Sequence, residues 1–153
     1  MSQEFSEIGG TEREEIKEFW EREFGVSSSY LDGYGFYKIG ENKVWLFDGE
    51  FDGDLSHEAL GLPFLRINQE HPKPTSVALQ YLNDRVSKNI VELDKTDARN
   101  FVGGETVERE FDVESLGYVA VRYRDDVLGC GLYFPGELRS QIPKSMRIND
   151  LLI

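Results

Sequence analysis

The chain has 153 residues, 39% of them hydrophobic and 12% aromatic, enough to give one domain of ordinary size or two small ones a real core. Seventeen basic against 29 acidic side chains leave a formal charge of −12, which on its face argues against a nucleic-acid partner, because phosphate binding rests on Lys and Arg. No window approaches the roughly 18 apolar residues of a membrane span, the acidic N-terminus has no apolar signal segment, and a single cysteine, Cys130, excludes an internal disulfide or a Cys-rich zinc site; a cytoplasmic protein without a membrane partner is expected.

The acidity is uneven. Residues 1–73 carry 16 acidic and 7 basic side chains, whereas residues 115–153 carry 4 and 5. Two explanations fit the excess: an acidic face, or the general surface acidity of a protein working in high salt, as in a halophile. Only 7 of the 17 basic residues are lysines, which leans to the second.

In chain order, Thr11-Glu-Arg-Glu14 has the spacing of a capping box. Ile16, Phe19, Trp20 and Phe24 then form an apolar helical stripe that Gly25 ends. Ser27-Ser-Ser29 punctuates the chain. Phe36–Ile39 and Val44–Phe47 predict a hairpin about Gly40-Glu-Asn42. Asp48, Glu50, Asp52 and Asp54 alternate as in a calcium loop but lack its register and closing glutamate, so a solvated turn is expected. A short helix over Leu55–Leu60, ended by Gly61-Leu-Pro63, comes next.

His71-Pro-Lys-Pro74 predicts an extended link. Pro74 then opens a helix with Val77, Ala78, Tyr81, Leu82 and Val86 inward. A β-branched strand, Ile90–Leu93, leads to a helix capped by Asp94 and ending near Val102 before Gly103-Gly104. The remainder is β: Thr106–Phe111, Tyr118–Tyr123 with one buried and one wet face, and Val127–Tyr133. The fold class is α+β, in two lobes of residues 1–70 and 71–153.

Sites of chemistry are scarce. There is no Gly-x-Gly-x-x-Gly between a strand and a helix and no P-loop. Gly129-Cys-Gly131 lies within a strand, where glycines bend the chain or admit a close neighbour. His57 and His71 have no cysteine partner, and Cys130 reads as a buried core thiol. Neither a catalytic residue, a metal nor a cofactor is expected. The last stretch, LGCGLYFPGELRSQIPKSMR, delivers Arg139, Lys144 and Arg147 around Pro143, a basic segment in an acidic chain.

From Lys73 onward, KPTSVALQYLNDRVSKNIVELDKTDARNFVGGE and GYVAVRYRDDVLGCGLYFPGELRSQIPKSMR resemble the PUA-type RNA-binding domain. The version concerned is the one appended to ribosomal RNA cytosine-5 methyltransferases of the Nol/Nop/Sun group. The matching features are Ile90-Val-Glu-Leu93 entering a helix, Gly103-Gly104, the Gly117-Tyr-Val strand, and Gly136-x-Leu-Arg139 with Pro143-Lys144 and Arg147. The resemblance implies a mixed β-barrel with flanking helices after a pre-PUA-like lobe of one helix and a small antiparallel sheet. It also implies a non-catalytic RNA-binding protein acting on ribosomal RNA or pre-ribosomal particles. That family's reactive cysteines stand in Pro-Cys and Thr-Cys contexts, and Cys130 stands in neither.

On this resemblance Arg139, Lys144 and Arg147 are the expected phosphate contacts. Lys88, Lys95, Arg122 and Arg124 extend the surface, and Tyr133 offers a ring for stacking. The expected partner is RNA, ribosomal or tRNA-like, beside a separate rRNA methyltransferase or ribosomal protein. The competing expectation is an adaptor that docks a basic protein through its acidic N-terminal lobe.

Overall fold

The computed structural model describes residues 5–48, 61–67, 71–113 and 116–147. The calcium-like stretch after Asp48 and the helix expected over Leu55–Leu60 lie outside them. The elements are β1 (Phe5–Glu7), α1 (Gly10–Phe24), α2 (Ser28–Leu31), β2 (Tyr34–Ile39), β3 (Lys43–Asp48), β4 (Gly61–Arg66), β5 (Lys73–Pro74), α3 (Ser76–Leu82), β6 (Ile90–Glu92), α4 (Lys95–Val102), β7 (Gly117–Tyr123), β8 (Asp126–Phe134) and β9 (Glu137–Ser140). They build an α+β fold on two sheets, an antiparallel β1-β2-β3-β4-β5 and a mixed β6-β7-β8-β9. In the second sheet β6 runs parallel to β7. Among the described residues these four strands stay open and do not close into the barrel that the resemblance implies.

The helix α1 forms for the reason its stripe predicts. Ile16, Phe19, Trp20 and Phe24 are all buried on the first sheet, with Trp20 stacked on Phe64 at 4.6 Å between centroids. Gly25 ends the helix in the left-handed region at φ 66°, where only glycine sits without cost. The capping box does not form. The helix starts at Gly10 with Gly9 at the cap, so Thr11 already lies inside the first turn, and Glu14 turns to Lys17. Lys17, almost wholly buried, is satisfied by the Asp32 carboxylate.

Two strands were not foreseen. Gly61-Leu-Pro63 begins β4 rather than ending a helix, and Lys73-Pro74 pairs with Arg66 and Leu65 as β5. Proline is tolerated there because β5 lies at the sheet edge, where its missing N–H removes no ladder bond. Consequently α3 starts at Ser76, with the Thr75 hydroxyl accepting from the Ala78 N–H at 3.0 Å. The helix buries Ala78, Leu79 and Leu82, whereas Tyr81, expected inward, is 47% exposed. The Tyr81 hydroxyl instead meets that of Tyr34 at 2.7 Å.

The second sheet is covered on both sides, and this overturns the one-wet-face expectation for β7. Val119 and Val121 join Val91, Phe101 and Leu138 in one core. Ala120 and Cys130, paired across β7 and β8, belong to the other, which contains α1, α3 and the inner face of the first sheet. Three consecutive buried residues are what a sheet between two layers requires. Gly131 is what lets the first of these cores close. A β-carbon there would stand 2.8 Å from Leu138, 2.9 Å from Val121 and 3.3 Å from Phe101. A β-carbon at Gly129 would likewise stand 2.9 Å from Ser76 and 3.2 Å from Ile142, and the Ser76 hydroxyl accepts from the Cys130 N–H at 2.9 Å.

The strand expected over Thr106–Phe111 shrinks to one bridge between Val107 and Leu138. Beyond it Arg109 turns to Asp97 at 2.9 Å, and the Phe111 N–H donates to the Tyr133 hydroxyl rather than to a ladder.

Candidate nucleic-acid interface

The basic segment is not a free loop. After the Pro135-Gly136 turn, with Gly136 at φ 80°, the chain returns as β9, and Leu132 faces Arg139 across the ladder. Leu138 and Ile142 point into the core, the Ser140 hydroxyl donates to the Phe101 carbonyl at 2.8 Å, and the Gln141 N–H donates to the Cys130 carbonyl at 3.0 Å. A single 3-10 turn then spans Lys144–Met146. On β9 Leu138 points inward, which leaves Arg139 facing solvent, since alternate residues of a strand face opposite ways; Lys144 is exposed on the turn that follows.

The structure divides the expected trio. Lys144 is exposed on the turn and has no ion pair among the described residues. Arg139 is exposed but bonded to Glu137 at 2.6 Å, with its guanidinium 5.9 Å from the Phe134 ring centre. Arg147 donates its Nε to the Ile142 carbonyl at 3.1 Å and lies against Gly104. A β-carbon at Gly104 would come within 2.5 Å of that nitrogen. Arg147 is exposed as well and has no ion pair among the described residues, but its Nε is held by the Ile142 carbonyl and its side chain lies beside Gly104, just past the end of α4.

The other expected residues scatter. Arg122 is paired across the strands with Glu92. Arg124 occupies the β7–β8 turn at φ 56° with its guanidinium over Tyr123, roughly 20 Å along β8 from the level of Arg139. Lys88 is exposed on the corner after α3, its amide bonded to the Phe24 carbonyl, and Lys95 opens α4. Tyr133 contradicts its expected role outright. It shares a face with Leu138 and is only 2% exposed. Its hydroxyl accepts from the Phe111 N–H at 2.9 Å and donates to Glu110 at 3.1 Å, so no ring face is left for a base.

Cys130 is fully buried, and burial pushes its thiol up to about 12. It stays a neutral thiol, unlike the activated thiolates of catalysis. Among the described residues no group of acids, histidines or cysteines is arranged to hold a metal, and no helix is long and apolar enough to cross a membrane.

A second basic region lies where sequence reasoning did not look. A groove of about 760 Å³ runs between the first sheet, the start of α3 and the C-terminal segment. One wall carries Lys43 and Trp45 of β3, Pro63 and Arg66 of β4, and Lys73 of β5. The other carries Gln141, Pro143 and Met146. Lys43 stands opposite Arg66, and Arg66 opposite Lys73, making a row of three cations across adjacent strands. Among the described residues no carboxylate lines the groove. Lys73 bridges the two walls, donating to the Gln141 side chain at 2.9 Å and lying 5.8 Å from the Tyr118 ring centre. Lys144 sits between two lining residues, at the lip. The signal that could have found this row was β4 and β5 themselves: once both are strands, the register brings the cations together.

This architecture, a parallel strand β6 entering α4, the β7–β8 hairpin, and β9 with its turn, is consistent with a PUA domain whose strands, among the described residues, do not close into a barrel. Residues 88–148 match the family described as the methyltransferase RsmF PUA domain, and this part of the chain is a PUA domain resembling the C-terminal domain of those methyltransferases. Residues 2–61 match a family of unknown function, DUF7122. Similar curated proteins include ribosomal RNA small subunit methyltransferase F of Aeromonas hydrophila, 30% identical over 115 residues, and of Aeromonas salmonicida, 27% over 118. The same enzyme of Vibrio cholerae is 25% identical over 111 residues. These alignments cover 72%, 74% and 71% of this chain but 24%, 25% and 23% of the relatives. The chain thus spans about a quarter of the length of the curated relatives it matches.

Proposed function

We propose that the protein is a non-catalytic RNA-binding protein that acts in the cytoplasm on ribosomal RNA or pre-ribosomal particles, beside a separate rRNA methyltransferase or ribosomal protein. The observation that carries this reading is the coincidence of the PUA match with the rigidly seated segment from Glu137 to Arg147. That segment holds Arg139 and Lys144 outward on a buried footing, and a pre-set cation lowers the ordering cost of a phosphate contact. The division into an N-terminal module and a PUA module near residue 70 belongs to the same reading. It is supported by the two sheets, one ending at Pro74 and the other starting at Ile90.

The test is crosslinking of RNA to the protein in cells, with sequencing of the attached fragments. Enrichment of small-subunit ribosomal RNA is the expected result, and a set of fragments without ribosomal RNA overturns it. Separately, the purified chain given the methyl donor and ribosomal RNA should transfer no methyl group. Incorporation above background that disappears with Cys130→Ala would make the chain an enzyme.

A further inference from the structure

The cation row Lys43, Arg66 and Lys73 works against the sheet that carries it. Like charges directly opposite on neighbouring strands repel, and this protein has acidic residues in excess with which to relieve them. Yet among the described residues Lys43 and Arg66 have no ion pair, and no carboxylate lines their groove. Two positions along β3 from Lys43, on the same side of the strand, stands half-buried Trp45, with Pro63 opposite it. Arg66 and Lys73 fall between the two family matches, which end at residue 61 and resume at 88.

We infer that this groove binds a single-stranded segment of RNA, with backbone phosphates on Lys43, Arg66 and Lys73 and a base laid against Trp45. This rests on the RNA-binding reading and adds to it the N-terminal sheet as half of the binding site. Cations alone would suit any polyanion. The indole and the apolar groups beside it, Pro63 and Met146, distinguish among them, because an unpaired base presents a flat π-face to such a surface. Bases in a duplex are stacked on one another and present edges only. The Trp45 ring is stacked on Phe47, 6.4 Å between centroids, and a base laid on it would extend that stack, which an acidic peptide satisfying the cation row would not. Lys144 at the lip continues the charge toward the C-terminal segment, so a strand leaving the groove passes onto the PUA module.

The protein supplies its own reporter. It has two tryptophans, and Trp20 is fully buried, so quenching by a ligand reads Trp45. The experiment titrates the full chain with a short single-stranded oligoribonucleotide, with the same strand in a duplex, and with a polyglutamate peptide. It follows tryptophan fluorescence and the anisotropy of labelled RNA. The single strand should quench saturably and bind more tightly than the duplex. Lys43→Gln with Arg66→Gln should weaken single-strand binding at least tenfold. It should also flatten the slope of log affinity against log salt by about 1.4, at roughly 0.7 per phosphate of a single strand. Trp45→Ala should weaken binding roughly five- to a hundredfold, while Trp45→Phe, which keeps a ring, stays within a few-fold of the parent.

If the parent binds RNA unquenched and Lys43→Gln with Arg66→Gln changes nothing, the groove inference is wrong and the RNA-binding reading stands. If polyglutamate quenches and displaces the RNA, the groove belongs to an acidic protein. If the parent binds no RNA at all, both fall together. Circular dichroism and thermal melting of each variant separate loss of binding from loss of fold.

Discussion

The cations on the C-terminal sheet and those in the groove differ in what stands beside them. On the sheet, Arg122 has Glu92, Arg139 has Glu137, and Arg109 has Asp97 and Asp94. In the groove, Lys43 and Arg66 face each other, and Lys73 faces a neutral amide and a ring. An exposed internal ion pair contributes only about 0–1 kcal/mol to stability. It nevertheless competes with any phosphate for the same guanidinium. An unrelieved row has the opposite character: it costs stability in the free protein and recovers it when an anion arrives. Counting charge by segment therefore misleads, because Arg122 and Arg139 are matched by Glu92 and Glu137, whereas the acidic half holds Lys43 and Arg66, which have no ion pair among the described residues.

The largest consequence is for RNA affinity. Changing Lys43, Arg66 and Lys144 together to glutamine removes three cations that have no ion pair among the described residues. At roughly 1 kcal/mol or more per charge-assisted contact, affinity should fall about a hundredfold or further. Changing Arg122 and Arg139 to glutamine should cost threefold or less, since each gives up an internal partner as well as a phosphate. Filter binding at two salt concentrations ranks the two variants. Equal losses would erase the distinction between the regions.

Next in size is the footing of the C-terminal segment. Gly104 lies at φ 92°, and a β-carbon there would collide with Arg147. Gly104→Ala combines a strained backbone with a steric clash, and should cost roughly 1–3 kcal/mol in denaturant unfolding. Arg147→Ala should cost less than that. If Arg147 serves as a fastener, both variants should reduce RNA binding only in proportion to their loss of order. A selective loss of RNA affinity in Arg147→Ala, at unchanged stability, would return it to the phosphate contacts.

Much of the scaffold was legible where the determinants are local. The stripe Ile16-Phe19-Trp20-Phe24, the Gly25 stop, the hairpin about Gly40 and the Asp94 cap each depend on residues within a few positions, and each formed. What escaped depends on partners distant in sequence. Gly61-Leu-Pro63-Phe64 and Lys73-Pro74 look like breakers, and become strands only because β3 offers β4 a ladder and β4 offers one to β5. Tyr118-Val-Ala-Val-Arg-Tyr123 alternates as a strand with one wet face does, and only the layers on both sides decide that Val119, Ala120 and Val121 are all buried. The site was legible in the same measure. The motif through Arg139, Lys144 and Arg147 marks the segment, but which arginine is matched, fastened or free depends on Glu137, Ile142 and Gly104. Tyr133 was misassigned because its hydroxyl's partners, Phe111 and Glu110, lie more than twenty residues upstream.

The smallest predicted effect tests the matching itself. Glu137 and Arg139 lie two apart on β9, so their side chains emerge on one side of the strand, and the Glu137 carboxylate holds the Arg139 Nε at 2.6 Å. Glu137→Gln keeps the shape and a hydrogen-bond acceptor but removes the charge that competes with phosphate. Stability should change by no more than about 0.5 kcal/mol, as for an exposed pair. RNA affinity should rise by roughly two- to threefold, and the salt slope should steepen by a fraction of the roughly 0.7 that one full single-strand phosphate contact gives. The control is Glu137→Gln combined with Arg139→Gln, which should bind no better than Arg139→Gln alone. If the single change leaves affinity and slope untouched, or the double change still gains, Arg139 does not meet the nucleic acid. The path of the RNA would then run from the groove over Lys144 without reaching the β8–β9 hairpin.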